Sequence, residues 1–176
     1  MKIIGISGMP GSGKSFVSEI AISKGAKIVS MGDVIREEAK KRGQNTQTTA
    51  VMLRREFGDY IVGELTIAKI KKMKNEKLIV VEGIRSPYEV KLFKENFPGF
   101  ELLSIFANPD TRFKRLKKRN REDDSTSFDE FLKRDNRELN FGIGEVIAES
   151  DKLFVNENDL DLYKNKINNY LNKIIS

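Results

Sequence analysis

Apolar residues follow two rhythms along this chain. Short runs at Lys2–Ser7, Ala26–Met31, Leu78–Val81, Glu101–Phe106 and Leu153–Val155 have the length and branched-residue content of strands. Between them, apolar residues recur every three or four positions, as in helices with one buried face. Phe16, Val17, Ile20 and Ala21 mark the first such helix, closed by Gly25. Val34, Ile35 and Ala39 mark a second, opening at Gly32-Asp33 and stopping at Gly43. A third ends at Phe57, and Ile61, Leu65 and Ala68 set a fourth from Asp59 to about Lys74. Residues 32–75 thus place three helical segments between two strands, more than one crossover needs, which predicts an inserted helical lobe.

Helix starts are marked in the second half. Ser86-Pro87-Tyr88-Glu89 and Ser127-Phe128-Asp129-Glu130 have capping-box spacing, and Asn108-Pro109 opens a helix carrying Phe113 and Leu116. Phe128, Phe131, Leu132 and Leu139 are expected on one side of the helix after Ser127, and Phe141-Gly142-Ile143-Gly144 reads as a link. The closing helix, Leu160 to Ile175, is expected to face inward with Leu160, Tyr163, Ile167, Tyr170 and Ile174. Five strands alternating with helices predict an α/β fold with a five-stranded parallel sheet between two helical layers. Ligands in such sheets bind at the carboxyl ends of the strands, which selects the loops at 8–15, 31–36, 82–86 and 107–112.

The first of those loops carries the most specific chemistry in the chain. Gly8-Met9-Pro10-Gly11-Ser12-Gly13-Lys14-Ser15 fills G-x-x-x-x-G-K-[ST] at every position, between a strand and a helix. Glycines let the backbone wrap an anion and aim successive N–H groups at the phosphates of ATP. Lys14 would reach the β- and γ-phosphate oxygens, and the Ser15 hydroxyl would hold Mg²⁺ at the helix N-terminus.

Composition narrows the chemistry further. The chain has 176 residues and no Cys or His, so disulfides, thiolate or imidazole metal sites and Cys or His nucleophiles are excluded. A metal here is a hard ion held by oxygen, as Mg²⁺ with a nucleotide is. No run approaches a membrane span, and Met1-Lys2 leads straight into a strand with no cleavage site, so a cytoplasmic protein is expected. The net charge of +6 fits either a nucleic-acid surface or a site for polyanionic small molecules. Positive charges near the predicted site loops favour the second.

Phosphoryl transfer needs positioning and positive charge around the transferred group. Arg36 follows a strand end by one helical turn, and Arg85 ends the third strand. Residues 112–121 include Arg112, Lys114, Arg115, Lys117, Lys118, Arg119 and Arg121. Most of that run reads as a solvated helix face. Arg119 and Arg121 adjoin the polar stretch 120–127, where a lid could bring arginines over the phosphates, with Arg134 and Arg137 on its far side.

These residues carry a family resemblance. Gly8–Ser15 resembles the glycine loop of nucleoside monophosphate kinases, and Met31-Gly32-Asp33-Val34-Ile35-Arg36 resembles the segment by which adenylate kinases hold the acceptor nucleotide. The resemblance implies that Arg36 binds the acceptor's phosphate. The chain departs from it at Met31, where those kinases usually have Thr or Ser. It departs again at Glu82-Gly83-Ile84-Arg85, one residue shorter than Asp-Gly-x-Pro-Arg. The second half is more similar to dephospho-coenzyme A kinases, with a basic helix after the fourth strand, a short lid and a last strand ending in Asn. Overall the chain is most similar to an archaeal adenylate-kinase-related group, sharing stretches like Arg134-Asp135-Asn136-Arg137-Glu138 and Phe141-Gly142-Ile143-Gly144-Glu145. A three-layer P-loop kinase fold is implied, one domain over 1–176 with a helical acceptor-binding lobe at 32–75 and a lid at about 117–138.

Candidate catalytic residues are therefore Lys14, Asp33, Arg119 and Arg121, with Arg36 and Arg85 as acceptor ligands. Asp33 is either a base for a hydroxyl acceptor or a helix N-cap. Ser15, and Glu82 through water, would hold Mg²⁺. The expected activity is transfer of the ATP γ-phosphoryl to a nucleotide or nucleotide-like, phosphate-bearing acceptor. The alternative is a nucleotide-gated ATPase acting on RNA or in ribosome assembly, disfavoured because the basic run lacks interleaved aromatics for stacking bases.

Overall fold

The computed structural model describes residues 1–119 and 127–175, with Gln47 described by its backbone alone. In chain order the elements are β1 (Lys2–Ser7), α1 (Lys14–Ser23), β2 (Lys27–Ser30), α2 (Met31–Arg42), α3 (Thr46–Phe57), α4 (Ile61–Lys71) and β3 (Leu78–Glu82). There follow α5 (Pro87–Asn96), β4 (Glu101–Phe106), α6 (Pro109–Arg119), α7 (Phe128–Asn140), α8 (Ile143–Ala148), β5 (Lys152–Val155) and α9 (Leu160–Ile175). The strands form one sheet in the order β2-β3-β1-β4-β5, every pair parallel.

Strand alternation divides the core between the two faces of the sheet. Ile3, Val29, Val81 and Leu102 meet Ile35, Val62, Ile67, Ile70, Val90, Phe93 and Val146 on one side. Ile4, Ile6, Val80, Leu103 and Ile105 meet Val17, Ala21, Tyr163, Ile167 and Leu171 on the other. Helices α2, α4, α5 and α8 therefore cover the first face, and α1 and α9 the second. Both faces of the central strands are buried, as their nearly continuous apolar runs require. The expected three-layer α/β fold is what the chain adopts.

The strand order also locates the site. β1 is flanked by β3 and β4 rather than by β2, so the loop leaving β1 opens where the chain's path across the sheet reverses. In the register, Ile6 pairs with Glu82 and Ser7 with Ser104, which brings the ends of β3 and β4 to either side of that loop.

Several local expectations are met in detail. Both capping boxes form, with Ser86 and Ser127 accepting the backbone N–H of Glu89 and Glu130 at 3.3 and 3.2 Å. Others are corrected. Met31 belongs to α2 rather than to β2, because Ser30 is the N-cap and its Oγ accepts the Asp33 N–H at 3.3 Å. The stretch 141–144 does not merely link, since Gly142 is the N-cap of α8, a helix too short to show periodicity. On α7 the buried residues are Phe131, Asp135 and Glu138, while Phe128, Leu132 and Leu139 are exposed. On α9, Leu171 is buried and Leu160 exposed.

Phe93 is fully buried and its ring stacks on Phe97 and Phe100 at centroid distances of 6.1 and 5.4 Å. Phe93→Ala is expected to cost about 3–5 kcal/mol, read as a lower urea midpoint with an unchanged denaturant slope.

Candidate nucleotide site

The loop after β1 is held by its carbonyl groups. Lys14 Nζ donates to the Gly8 and Met9 carbonyls at 2.6 and 3.1 Å, and Arg112 to Pro10 at 3.2 Å. The Asn156 side-chain amide donates to the Ser12 carbonyl at 2.8 Å, and the Tyr163 hydroxyl to Gly13 at 3.1 Å. Arg112, Asn156 and Tyr163 come from α6, the end of β5 and α9, so three distant segments pull the carbonyls outward. Among the described residues, no acceptor takes the N–H groups of Gly13, Lys14 and Ser15. They stand at the start of α1, where helix geometry provides no intrahelical partner. Side chains of Ser30, Asn45, Ser86 and Ser127 cap α2, α3, α5 and α7, but α1 has neither a side-chain cap nor an acid in its first turn. An anion is the partner such an end accepts.

Two glycines are needed for this packing. Gly8 has φ 142° and lies so close to the Ile105 carbonyl that a Cβ would overlap it. Gly13, with φ 100°, leaves no room for a Cβ beside the Asn156 amide that holds Ser12. Ser12 is fully buried and its hydroxyl has no protein partner among the described residues.

Lys14 is half-buried in a mixed field. Burial, and then the neighbouring Arg85, lower its pKa to about 8, with a smaller contribution from Arg134; Glu138 and Glu82 oppose them. Glu82 ends β3 and accepts the Ser18 hydroxyl of α1. Its second carboxylate oxygen and the exposed Ser15 hydroxyl are hard donors of the kind Mg²⁺ takes alongside phosphates and water. No group of three or more acidic side chains positioned to cage a metal occurs among the described residues.

Arg85 and Lys14 are brought together. Arg85 Nε lies 3.3 Å from Glu138, whose side chain is 8% exposed. The backbone N–H groups of Arg85 and Ser86 donate to Glu89 Oε2, and Arg54 to Oε1 at 3.1 Å. The Glu89 pKa is raised by burial. Asp33 sits in the first turn of α2 and accepts Arg36 Nε at 3.0 Å, both side chains being more than half exposed. It is thus not the cap of α2. Arg119 is the exposed last residue of α6, and Arg121 lies outside the described residues. Arg137 is exposed on α7.

Sequence reasoning missed four contributors. Arg112 belongs to no solvated face: it is 3% exposed, makes two bonds to Asp135 at 2.8 and 2.5 Å, and donates to Ala107 at 3.0 Å. Asp135 and Glu138 stand one turn apart on the inner side of α7, so one helix secures both Arg112 behind the loop and Arg85 beside Lys14. Asn156 is the fourth. The stripe Phe131, Asp135, Glu138 at i, i+4, i+7 was the available signal, because two acids occupy positions where a core-facing helix has apolar residues.

Comparisons with known proteins agree with this geometry. A family model described as an AAA domain matches residues 7–131. A UPF0200 protein of Methanothermobacter thermautotrophicus is 50% identical over 174 residues, covering 99% of this chain and 91% of its own. The chain belongs to the UPF0200 family. Among solved structures, TT1252 from Thermus thermophilus superimposes with a TM-score of 0.64 at 20% identity, covering 98% of this chain and 97% of its own. Shikimate kinase from Bacteroides thetaiotaomicron does so with a TM-score of 0.64 at 14% identity, covering 98% of both chains. These likenesses show the P-loop kinase fold. No helix among the described residues is long and apolar enough to cross a membrane.

The Arg112–Asp135 pair gives a test of the scaffold. Arg112→Met, which strands a buried carboxylate, should cost about 3–5 kcal/mol in chemical denaturation. Arg112→Met combined with Asp135→Leu should recover at least half of that loss.

Proposed function

We propose that this UPF0200 protein is a kinase that moves the γ-phosphoryl of ATP onto a nucleotide or nucleotide-like, phosphate-bearing acceptor. The observation that carries this reading is the pairing of two features in one place. The loop offers N–H groups and Lys14 to a polyphosphate, and Arg85 stands beside Lys14 from another strand end. A simple nucleotide-binding module needs the first feature alone. Charge on both sides of a transferred phosphoryl is what a transferase needs.

In this reading Lys14 leaves the Gly8 and Met9 carbonyls for the β- and γ-phosphates. Arg85 and Arg36 receive the acceptor's phosphate, exchanging Glu138 and Asp33 for it. Asp33 then becomes available near the acceptor, where it serves as base if the acceptor group is a hydroxyl. Residues 32–75 form the acceptor lobe, and 117–138, with Arg119 and Arg121, the lid. Ser15, and Glu82 through water, would hold Mg²⁺, which would supply charge neutralisation at the phosphates.

Lys14 makes nucleotide binding pH-dependent. Below about pH 8 its ammonium is charged before and after binding; above it the free site is neutral and a bound polyphosphate restores the proton. Affinity for ATP should therefore fall above pH 8, by no more than about tenfold per pH unit, with proton uptake visible by calorimetry in buffers of different ionisation enthalpy. Lys14→Ala should bind ATP weakly at every pH and show no uptake, while its melting curve remains cooperative.

The activity is tested by incubating the protein with ATP and Mg²⁺ against AMP, CMP, UMP, GMP and dephospho-coenzyme A. One acceptor should raise ADP release severalfold and appear with an added phosphoryl group by mass spectrometry. Hydrolysis that no acceptor stimulates would point instead to the ATPase reading.

A further inference from the structure

β5 is the last strand of the sheet, and among the described residues nothing pairs with its outer edge. The Asn156 N–H donates to the Phe106 carbonyl at 2.8 Å, which fixes the residues whose backbone faces β4. Alternation then turns the N–H and C=O groups of Leu153 and Val155 away from the sheet. The side chains of the same two residues are 46% and 58% exposed. Opposite them in the register, on β4, are Ser104 and Phe106. Phe106 is 42% exposed, and the buried Ser104 hydroxyl has no protein partner among the described residues. Edge strands are ordinarily protected by shortness, lysines, bulges, prolines or covering segments; β5 is short and carries Lys152, and beside it presents exposed branched apolar residues.

The same edge borders a concavity of about 620 Å³ between β5 and α9, lined by Lys152, Lys166, Asn169, Tyr170 and Lys173. The three lysines make no ion pair among the described residues; Lys152 only lies 5.9 Å from the Phe154 and Tyr170 rings. The nearby acids are engaged elsewhere. Glu101 takes Lys2 and the Tyr170 hydroxyl, and Asp151 takes the Leu102 N–H at 2.8 Å. Asp151 keeps its negative charge in that bond, so the rim of this edge sets three lysines against one carboxylate and is net positive.

We infer that the outer edge of β5 is a docking strand for an extended acidic segment of a partner protein. The segment would add a sixth strand through Leu153 and Val155, set its apolar side chains on Leu153, Val155 and Phe106, and place carboxylates against Lys152, Lys166 and Lys173. Charge selects this occupant over a second copy of the chain. Pairing two such edges would put two net-positive lysine triads on one ribbon, in molecules that each carry a net charge of +6.

The probe is a fluorescent peptide of alternating Glu and Val, compared with an alternating Lys and Val peptide of equal length. The acidic peptide should bind at least about tenfold more tightly. Its amide perturbations in the labelled protein should centre on 152–156 and on the α9 residues facing them. Lys166→Glu with Lys173→Glu lies on an exposed helix face and should leave folding intact while cutting affinity about tenfold. Val155→Pro removes an outward N–H at an edge position that tolerates proline and should weaken binding comparably, with circular dichroism confirming the fold. Equal binding of both peptides, perturbations centred elsewhere, preferential binding of single-stranded RNA at this edge, or a dimer through β5 would each overturn the inference.

Discussion

Everything at this site depends on turning one loop inside out. A backbone that presents N–H groups to an anion must direct its carbonyls somewhere, and a buried carbonyl without a donor costs about as much as a lost hydrogen bond. Here the outward carbonyls are met by an arginine from α6, an asparagine after β5 and a tyrosine from α9. The eight-residue motif therefore specifies the loop's chemistry but does not support it. Its support comes from residues a hundred or more positions further along the chain, in α6, after β5 and in α9. Tyr163 shows how firmly this is built: burial raises its hydroxyl's pKa, so it stays a donor across any ordinary pH.

A second constraint acts on the open side of the loop. Arg85 and Arg134 repel the Lys14 ammonium, and Glu82 and Glu138 attract it. Such acids make the site tolerable without a ligand. They also keep the arginine in position, since Glu138 is nearly buried and fixed on α7 by the same face that buries Asp135 against Arg112. Burial first, and then repulsion from Arg85, depresses the Lys14 pKa, so removing one charge here shifts the balance for the rest.

Local signals were readable from the residues alone. The glycine loop, the two capping boxes, the strand runs and the fold class all rest on interactions within a few residues, or on burial patterns with one period. What escaped depends on partners far apart in sequence. Arg112 stands in a run of basic residues, and nothing in its neighbourhood distinguishes it from Lys114 or Lys117. Its burial follows from Asp135, twenty-three positions away, and from Pro10, one hundred and two away. Leu132 and Leu139 were expected inside α7 because apolar residues normally win the core, and they lost it to two acids that arginines needed. Met31 was misplaced by one residue because a buried apolar side chain fits a strand end and a helix start equally well. Only the Ser30 cap decides between them.

Asn156 joins these threads, since it closes β5 and tethers the loop with one side chain. Its N–H is fixed to Phe106 and its amide to Ser12, so β5 cannot slide along β4 without moving the Ser12 carbonyl. Arg115 reaches the same amide oxygen at 3.4 Å, tying α6 to that position as well. A four-residue edge strand would be a weak element by itself, and its place in the register is secured here by the loop at least as much as by its ladder. The far end of the sheet is thus tied by construction to the loop after β1, through a single side chain that follows the edge strand.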